Sequence, residues 1–284
     1  MPKPSARTKL ISPIDPYSLL ADELAIQSDD IMWVAKPVDI VEFVESPEYM
    51  NQMWHNGRGC RSKIMEILIE ISKPNIREAI ILLGKGSGKT YLSSLFHIYG
   101  IYRLMCMYKP QIALGMSAHS PIYFINIARN ERQAIRVFFS EFKGLLMGSP
   151  WFAERYIAQT SVCEFPKNIS AMSGNSHSRG WLGFHTLQWV GDELAHFLED
   201  DANDSSTSTA EDAWDAAFGS CKTRFEHNYK MVGITTPRYD DDFVMKKSHE
   251  LAERDDGYTP ASLSWECNDH ERCRWLKNRC GVCC

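Results

Sequence analysis

With 284 residues, 44% of them hydrophobic and 24% charged, the chain has the composition of an ordinary soluble globular protein, long enough for one large domain or two small ones. Its formal net charge of -5 excludes whole-protein attraction to nucleic acid, so any such contact has to use a local basic patch. Nine cysteines do not amount to a secreted disulfide scaffold here: Cys60, Cys106, Cys163 and Cys221 sit singly in periodic segments, as expected of reduced packing residues, and the other five crowd the C-terminal end.

The opening "MPKPSARTKLISPIDPYSLL" has neither a long apolar run nor a small-residue cleavage site, so no signal peptide is expected. Residues 1–60 read as a lead-in segment that packs on the core, with "DIVEFVESPEYM" (39–50) as a short helix ending near Pro47. Next, "SKIMEILIEI" (62–71) sets Ile64, Ile67, Leu68 and Ile71 at helical spacing, and "AIILL" (79–83) is the apolar run of a buried parallel strand. After a glycine-rich loop, "YLSSLFHIYGIYRLMCM" (91–107) contains His97 and Arg103, which fits a buried helix rather than a membrane span.

"IYFINIA" (122–128) predicts a second buried strand, after which Asn130 is placed to cap a helix whose apolar stripe is Ala134, Val137, Phe138, Phe142 and Leu145. "CEFP" and "ISAMSG" around Asn168 read as a small hairpin, and "TLQWVGDE" and "YKMVGITTP" as two more strands with the helical "AEDAWDAAFGSCKTRF" between them. The polar stretch 200–212 reads as a mobile surface loop. Strands alternating with helices predict an α/β fold with a mainly parallel central sheet flanked by helices. Its domain is expected to span 61–258, with 259–284 as a linker or Cys-rich tail.

In "LGKGSGKT", Gly88-Lys89-Thr90 follows a strand and precedes an apolar helix, the context that a phosphate-binding loop requires. Gly84, Gly86 and Gly88, with Lys85 and Ser87 between them, would let the backbone turn its N–H groups toward a β-phosphate. Lys89 would reach the β- and γ-phosphates, and Thr90 would offer a hydroxyl to Mg²⁺. Leu83 stands where the motif's first glycine falls, which displaces that glycine to 84.

"TLQWVGDELAHF" delivers Asp192 and Glu193 at the C-terminal end of a strand, where parallel sheets place ligand chemistry. Asp192 would hold Mg²⁺ through water, and Glu193 would orient and deprotonate an attacking water. Adjacent carboxylates point to hydrolysis, against the alternative of a helix cap or a solvated first-turn charge. Thr235 and Thr236 close the strand of "MVGITTPR". Beside the acid-bearing strand they could sense a γ-phosphate, against the alternative of β-branched packing before a proline stop.

In their order and spacing, "LLGKGSGKT", "FINIARNERQAIRVFFSEF", "SGNSHSRGWLGFHTLQWVGDELAHF" and "VGITTP" resemble the ATPase domain of the terminase large subunit, the DNA-packaging motor of tailed bacteriophages. The resemblance runs from about residue 39 to about 268. It implies an additional-strand P-loop NTPase fold that hydrolyses ATP with Mg²⁺ and drives translocation of double-stranded viral DNA. By it Lys89 and Thr90 take the Walker A roles, Asp192 and Glu193 the Walker B and catalytic roles, and Thr235 and Thr236 the coupling role. Lys85 falls where many of these motors carry a basic residue inside the loop.

Arg179, in "SHSRGWLG", is the candidate charge partner for a γ-phosphate, from its own or a neighbouring subunit, with a structural salt bridge as the alternative. Arg129 is a second candidate, and Gln52 and Arg61 are candidates for reading the base. The implied partners are a portal protein, a small terminase subunit and further copies of the chain in a ring, in the host cytoplasm and transiently on the procapsid, with no membrane. Lys222, Arg224, Lys246 and Lys247 are available for DNA, or form solvated helix faces.

Terminase large subunits also carry a nuclease domain, and the stretch after Arg238 is too short for one. ATP hydrolysis without DNA cleavage is therefore expected. In "CNDHERCRWLKNRCGVCC", Cys267, His270, Cys280 and Cys283 have the spacing of two halves of a zinc site, against an unfolded tail left by an interrupted gene. Two rival functions remain: a superfamily 1 or 2 helicase, which needs a second RecA-like domain, and an ATP-binding packaging protein without turnover, which intact Lys89 and Glu193 oppose.

Overall fold

Six residues with both faces buried, Glu78–Leu83, form β1, the strand from which the phosphate-loop candidate emerges. The computed structural model describes residues 33–55, 59–128, 134–175, 183–197 and 209–262. Ahead of β1 lie α1 (Ile40–Glu45) and α2 (Ser62–Ser72). Asp39 starts α1 by accepting the backbone N–H groups of Val41 and Glu42. That turn delivers Phe43 and Val44 into the core, where Phe43 stacks on Tyr102 with ring centroids 4.5 Å apart. In α2 the 3.6-residue spacing holds, and Ile64, Ile67, Leu68 and Ile71 are all buried.

The remaining elements are α3 (Lys89–Cys106), α4 (Pro110–Ala113), β2 (Ile122–Ala128), α5 (Ser140–Met147), β3 (Ile157–Ala158), β4 (Val162–Phe165), β5 (Ile169–Asn175), β6 (Thr186–Asp192), α6 (Ala210–Phe225), β7 (Lys230–Thr235), α7 (Phe243–Ala252), β8 (Gly257–Tyr258) and β9 (Ala261–Ser262). Among the described residues the strands form one sheet in the order β3-β4-β5-β2-β6-β7-β1-β8, with β9 also on β1. Only the β3-β4-β5 edge is antiparallel; β5, β2, β6, β7, β1, β8 and β9 pair in parallel. This is the expected α/β fold, and β7 is the additional strand between the loop strand β1 and the acid strand β6. Residues 261–262, beyond the expected 258 boundary, belong to the same sheet as β9.

Successive residues of a strand point to opposite faces, and β6 shows which helices cover each. The Gln188 side chain lies against His97 of α3, at 3.3 Å, whereas the next residue, Trp189, packs edge-on to Trp214 of α6. Helices therefore clad both faces, as parallel sheets require. Gly191 of β6 and Gly233 of β7 are cross-strand partners. A Cβ at Gly233 would lie 2.8 Å from Leu194 and 3.3 Å from Trp214, so this glycine pair lets the segment after Asp192 close onto the sheet.

One helix departs from expectation. Ala134–Phe139 is π-helical before α5 begins, and its wider turn moves the buried face along by residues. Val137, expected in the apolar stripe, is 49% exposed, while Phe138, Phe139 and Phe142 are buried. Asn130 lies outside the described residues. The hairpin around Asn168 forms, with Lys167 and Asn168 at φ of 65° and 55°. The polar stretch expected to be a loop through 212 turns helical earlier: Thr209 and Asp212 form a capping box that starts α6. Cys60, Cys106, Cys163 and Cys221 are free and buried, and among the described residues no helix is long and apolar enough to cross a membrane.

Candidate nucleotide-binding and hydrolytic site

Residues 84–88 turn from β1 into α3, and the turn depends on left-handed backbone: Gly86 has φ 77° and Gly88, the N-cap of α3, has φ 97°. The first N–H groups of α3 thus face outward beside the loop, a ready anion site. Gly84 and Ser87 play a different part from Gly86 and Gly88. The Gly84 N–H donates to Ser262 O at 3.2 Å, which ties the loop to β9, and Ser87 is fully buried.

Lys89 Nζ donates to Thr236 Oγ1 at 2.9 Å, to Gly84 O at 3.2 Å and to Leu83 O at 3.3 Å. Thr236 Oγ1 donates in turn to Leu83 O at 3.0 Å, and Thr235 Oγ1 accepts the Ala195 N–H at 3.1 Å. One run of hydrogen bonds therefore joins the loop lysine, the end of β7 and the turn that follows the two acids. The coupling candidates are brought to Lys89 by the parallel pairing of β7 with β1, in which Thr235 lies beside Leu82.

Asp192 closes β6 at 3% exposure. Burial, and then the neighbouring Glu193, push its carboxyl up to about 7, with Lys89 acting in the opposite direction. Glu193 is a non-glycine residue at φ 58°, ψ 40°, held there by its N–H bond to Ile234 O at 2.7 Å. Left-handed backbone at such a residue costs on the order of 1–3 kcal/mol and persists only where surrounding structure enforces it.

A cleft of 510 Å³ brings the parts together: Lys85, Gly86, Gly88, Lys89, Thr90 and Glu193 line it. Arg61, Tyr91 and Glu141 also reach it. Arg61 and Gln52, both candidates for the base, separate here. Gln52 Oε1 accepts from the Tyr91 hydroxyl at 3.0 Å and its Nε2 donates to Met50 O at 3.1 Å, so it buttresses Tyr91, whereas Arg61 faces the cleft. Glu141 gives no sequence signal, since it sits on an exposed turn of α5 and reaches the cleft only through packing.

Arg179 and Arg129 lie outside the described residues, as do Cys267, His270, Cys280 and Cys283. Among the described residues no group of three or more His, Cys, Asp or Glu could hold a metal ion unaided. Of the proposed DNA contacts, Lys222, Arg224 and Lys246 are exposed, but Lys247 is engaged: it pairs with Glu250 at 2.9 Å and Glu78 at 3.7 Å.

The family model for the N-terminal P-loop domain of the uncharacterized protein MJ0330 matches residues 18–279. The MJ0330 protein of Methanocaldococcus jannaschii is 26% identical over 255 residues, covering 82% of this chain and 41% of its own length. Among solved structures, the large terminase of bacteriophage HK97 is similar with TM-score 0.57 and 14% identity, over 78% of this chain and 43% of that one. A large terminase from a thermophilic bacteriophage, in complex with ADP, gives TM-score 0.54 and 12% identity over 78% and 51%. At these identities the likeness is one of fold. The chain thus spans 41% of the curated relative and 43% and 51% of the two terminases.

Proposed function

This chain belongs to the MJ0330 N-terminal P-loop domain family, and from that premise we propose that it binds ATP with Mg²⁺ and hydrolyses it in the cleft between the 84–88 loop and Glu193. Glu193 carries the reading. A carboxylate residue locked in strained left-handed backbone and lining one cleft with Lys89 and Thr90 supports the role of a general base for water attack on a phosphate held by the loop.

In this reading the loop N–H groups at Gly86 and Gly88 and the start of α3 hold the β-phosphate, and Lys85 adds charge at the loop's exposed tip. The Lys89 ammonium exchanges its bonds to Thr236 and the loop carbonyls for β- and γ-phosphate oxygens. Mg²⁺ fits the residues present: a buried Asp192 beside Glu193 is short of positive charge, and Thr90 supplies a hydroxyl at the helix start. Bound there, Mg²⁺ would neutralise phosphate charge. Glu193 takes the proton of the attacking water as its oxygen bonds to the γ-phosphorus and the bond to the β-phosphate oxygen breaks, leaving ADP and phosphate.

Withdrawal of Lys89 from Thr236 would be felt at Ala195 through Thr235, which makes Thr235 and Thr236 the coupling element. The fold shared with large terminases supports a finer proposal. Turnover would drive double-stranded viral DNA into a procapsid, with copies of the chain in a ring on a portal protein and a small terminase subunit as partner, in the host cytoplasm. Exposed Lys222, Arg224 and Lys246 would contact the phosphate backbone, and Arg179 would approach the γ-phosphate.

The test is ATP turnover with and without duplex DNA, portal protein and small subunit, comparing the native chain with Glu193→Gln. Turnover that DNA stimulates and Glu193→Gln abolishes is the expected result. ATP binding without turnover in every mixture would sink the hydrolytic reading; turnover indifferent to DNA would sink the motor reading alone.

A further inference from the structure

Arg61 combines four features that an ordinary surface arginine does not. It is half-buried at the N-cap position of α2, yet its side chain makes no capping bond. Its guanidinium carbon lies 5.7 Å from the Trp54 ring centroid, so the aromatic face orients the planar fork. Its Nε is buried without a hydrogen-bond partner. Among the described residues no carboxylate pairs with it, although Glu141 and Glu193 line the same cleft. A half-buried guanidinium, oriented by an aromatic face and with its Nε–H buried and unsatisfied, is unfavourable unless an anion completes it.

Position identifies the anion. A Cβ built on Gly88, the residue that caps α3, would sit 3.6 Å from Arg61 Nη1, so the fork stands at the level where the first free N–H groups of α3 emerge. Lys85 and Lys89 belong to the loop side of the cleft, while Tyr91, on the first turn of α3, reaches it beside Arg61. A triphosphate with its γ end toward Glu193 would bring its α and β groups past this fork. Planar, bidentate recognition of phosphate oxygens is the chemistry that arginine performs and lysine does not.

We propose that Arg61 is a phosphate-binding residue: held against Trp54, its guanidinium grips the α- and β-phosphates of a nucleoside di- or triphosphate from the α2 side of the cleft. This rests on the nucleotide reading of the site but not on turnover. It assigns Arg61 to phosphate rather than to the base, and it adds to Lys85 and Lys89 a third cation from within the chain.

The experiment measures equilibrium binding of fluorescent ATP, ADP and GTP analogues, and of inorganic tripolyphosphate as competitor, to the native chain, Arg61→Ala and Arg61→Lys, with thermal melting as the folding control. Arg61→Ala should weaken ATP, ADP and tripolyphosphate alike by about 10–100-fold, the scale of a lost charge-assisted bidentate contact. Arg61→Lys, which keeps the charge and loses the fork, should recover only part of it. The ATP-to-GTP preference should not move.

Three results would overturn the inference: equal ATP binding by native chain and Arg61→Ala, loss of base preference with tripolyphosphate binding intact, or full recovery by lysine. The first leaves the hydrolytic reading standing, provided Glu193→Gln still abolishes turnover. Conversely, Arg61-dependent ATP binding with no turnover would sink hydrolysis and keep the phosphate contact.

Discussion

The two ends of β1 and β7 treat charge in opposite ways. At their N-terminal ends Glu78, fully buried, receives Arg254 at 2.6 Å, the Tyr229 hydroxyl at 3.2 Å and Lys247 at 3.7 Å. Beside it Lys230 caps the end of α2 through the Lys73 and Ile76 carbonyls, where burial and then Arg103 and Arg77 push its ammonium down to about 7. At their C-terminal ends the same strands lead to a lysine held on exchangeable carbonyls and a hydroxyl, an arginine without an acid partner among the described residues, and a glutamate in strained backbone. One end uses ions to fasten strands to α7 and the 254–256 turn; the other gathers them around the cleft proposed for nucleotide.

Mutation should separate the two ends, and the largest effect belongs to the C-terminal one. Glu193→Gln removes the proposed base with little change in size, so kcat should fall by about 10²–10⁴-fold while nucleotide binding and melting temperature hold. Glu78→Ala is the counterpart at the other end. It takes the buried acid from Arg254 and Lys247, which keep Glu250 and, for Arg254, Asp256, and leaves the Tyr229 hydroxyl without its acceptor, so unfolding free energy, read from a denaturant titration, should drop by about 1–3 kcal/mol. Nucleotide affinity measured well below the melting temperature should be unchanged. A Glu78→Ala protein of native stability with weakened ATP binding would break the division.

Much of the C-terminal end was legible in the sequence because its determinants are local. A buried apolar run, a glycine-rich turn and an apolar helix are contiguous, and the acids follow their own apolar strand. Less legible was anything set by packing between distant segments. Arg61 reads as one of two base candidates until the fold commits Gln52 to Tyr91. Lys247 reads as a solvated cation until α7 packs on β1 and delivers it to Glu78. The two-residue strand β9 carries too few residues for a periodic signal, yet Ser262 holds Gly84. Val137 was misplaced for another reason: helical periodicity assumes 3.6 residues per turn, and a π-helical segment does not keep it.

A smaller effect sharpens the contrast at the C-terminal end itself. Thr236→Val removes the hydroxyl that accepts from Lys89 and donates to Leu83 O, which should destabilise the chain by about 0.5–1.5 kcal/mol for each bond lost. If, as proposed, Lys89 leaves Thr236 for a phosphate, ATP affinity should rise by up to roughly tenfold, the same bond energy seen from the other side. An ATP affinity that falls would mean that Thr236 contacts nucleotide rather than competing with it.

The smallest effect at neutral pH lies between the two ends, at His97. It is 1% exposed, its ring nitrogen meets Gln188 Oε1 at 3.3 Å, and burial pushes its pKa from 6.5 down to about 3 against the pull of that bond. Between those values the unfolded chain binds a proton that the folded chain refuses, so this group's contribution is complete above pH 6.5 and is lost as pH falls toward 3, by up to about 1.4 kcal/mol per unit. Asp192 works the other way, since its raised pKa favours the folded state as pH drops from about 7. Their slopes oppose each other over the same window, which flattens the native profile. His97→Gln should leave stability near pH 7 offset by a constant packing loss but remove the acid-side decline. The difference between the two stability curves, taken by denaturant titration from pH 7.5 to 4.5, should therefore shrink steadily as pH falls. A constant difference would mean that His97 is protonated in the fold and that its burial does not set its charge.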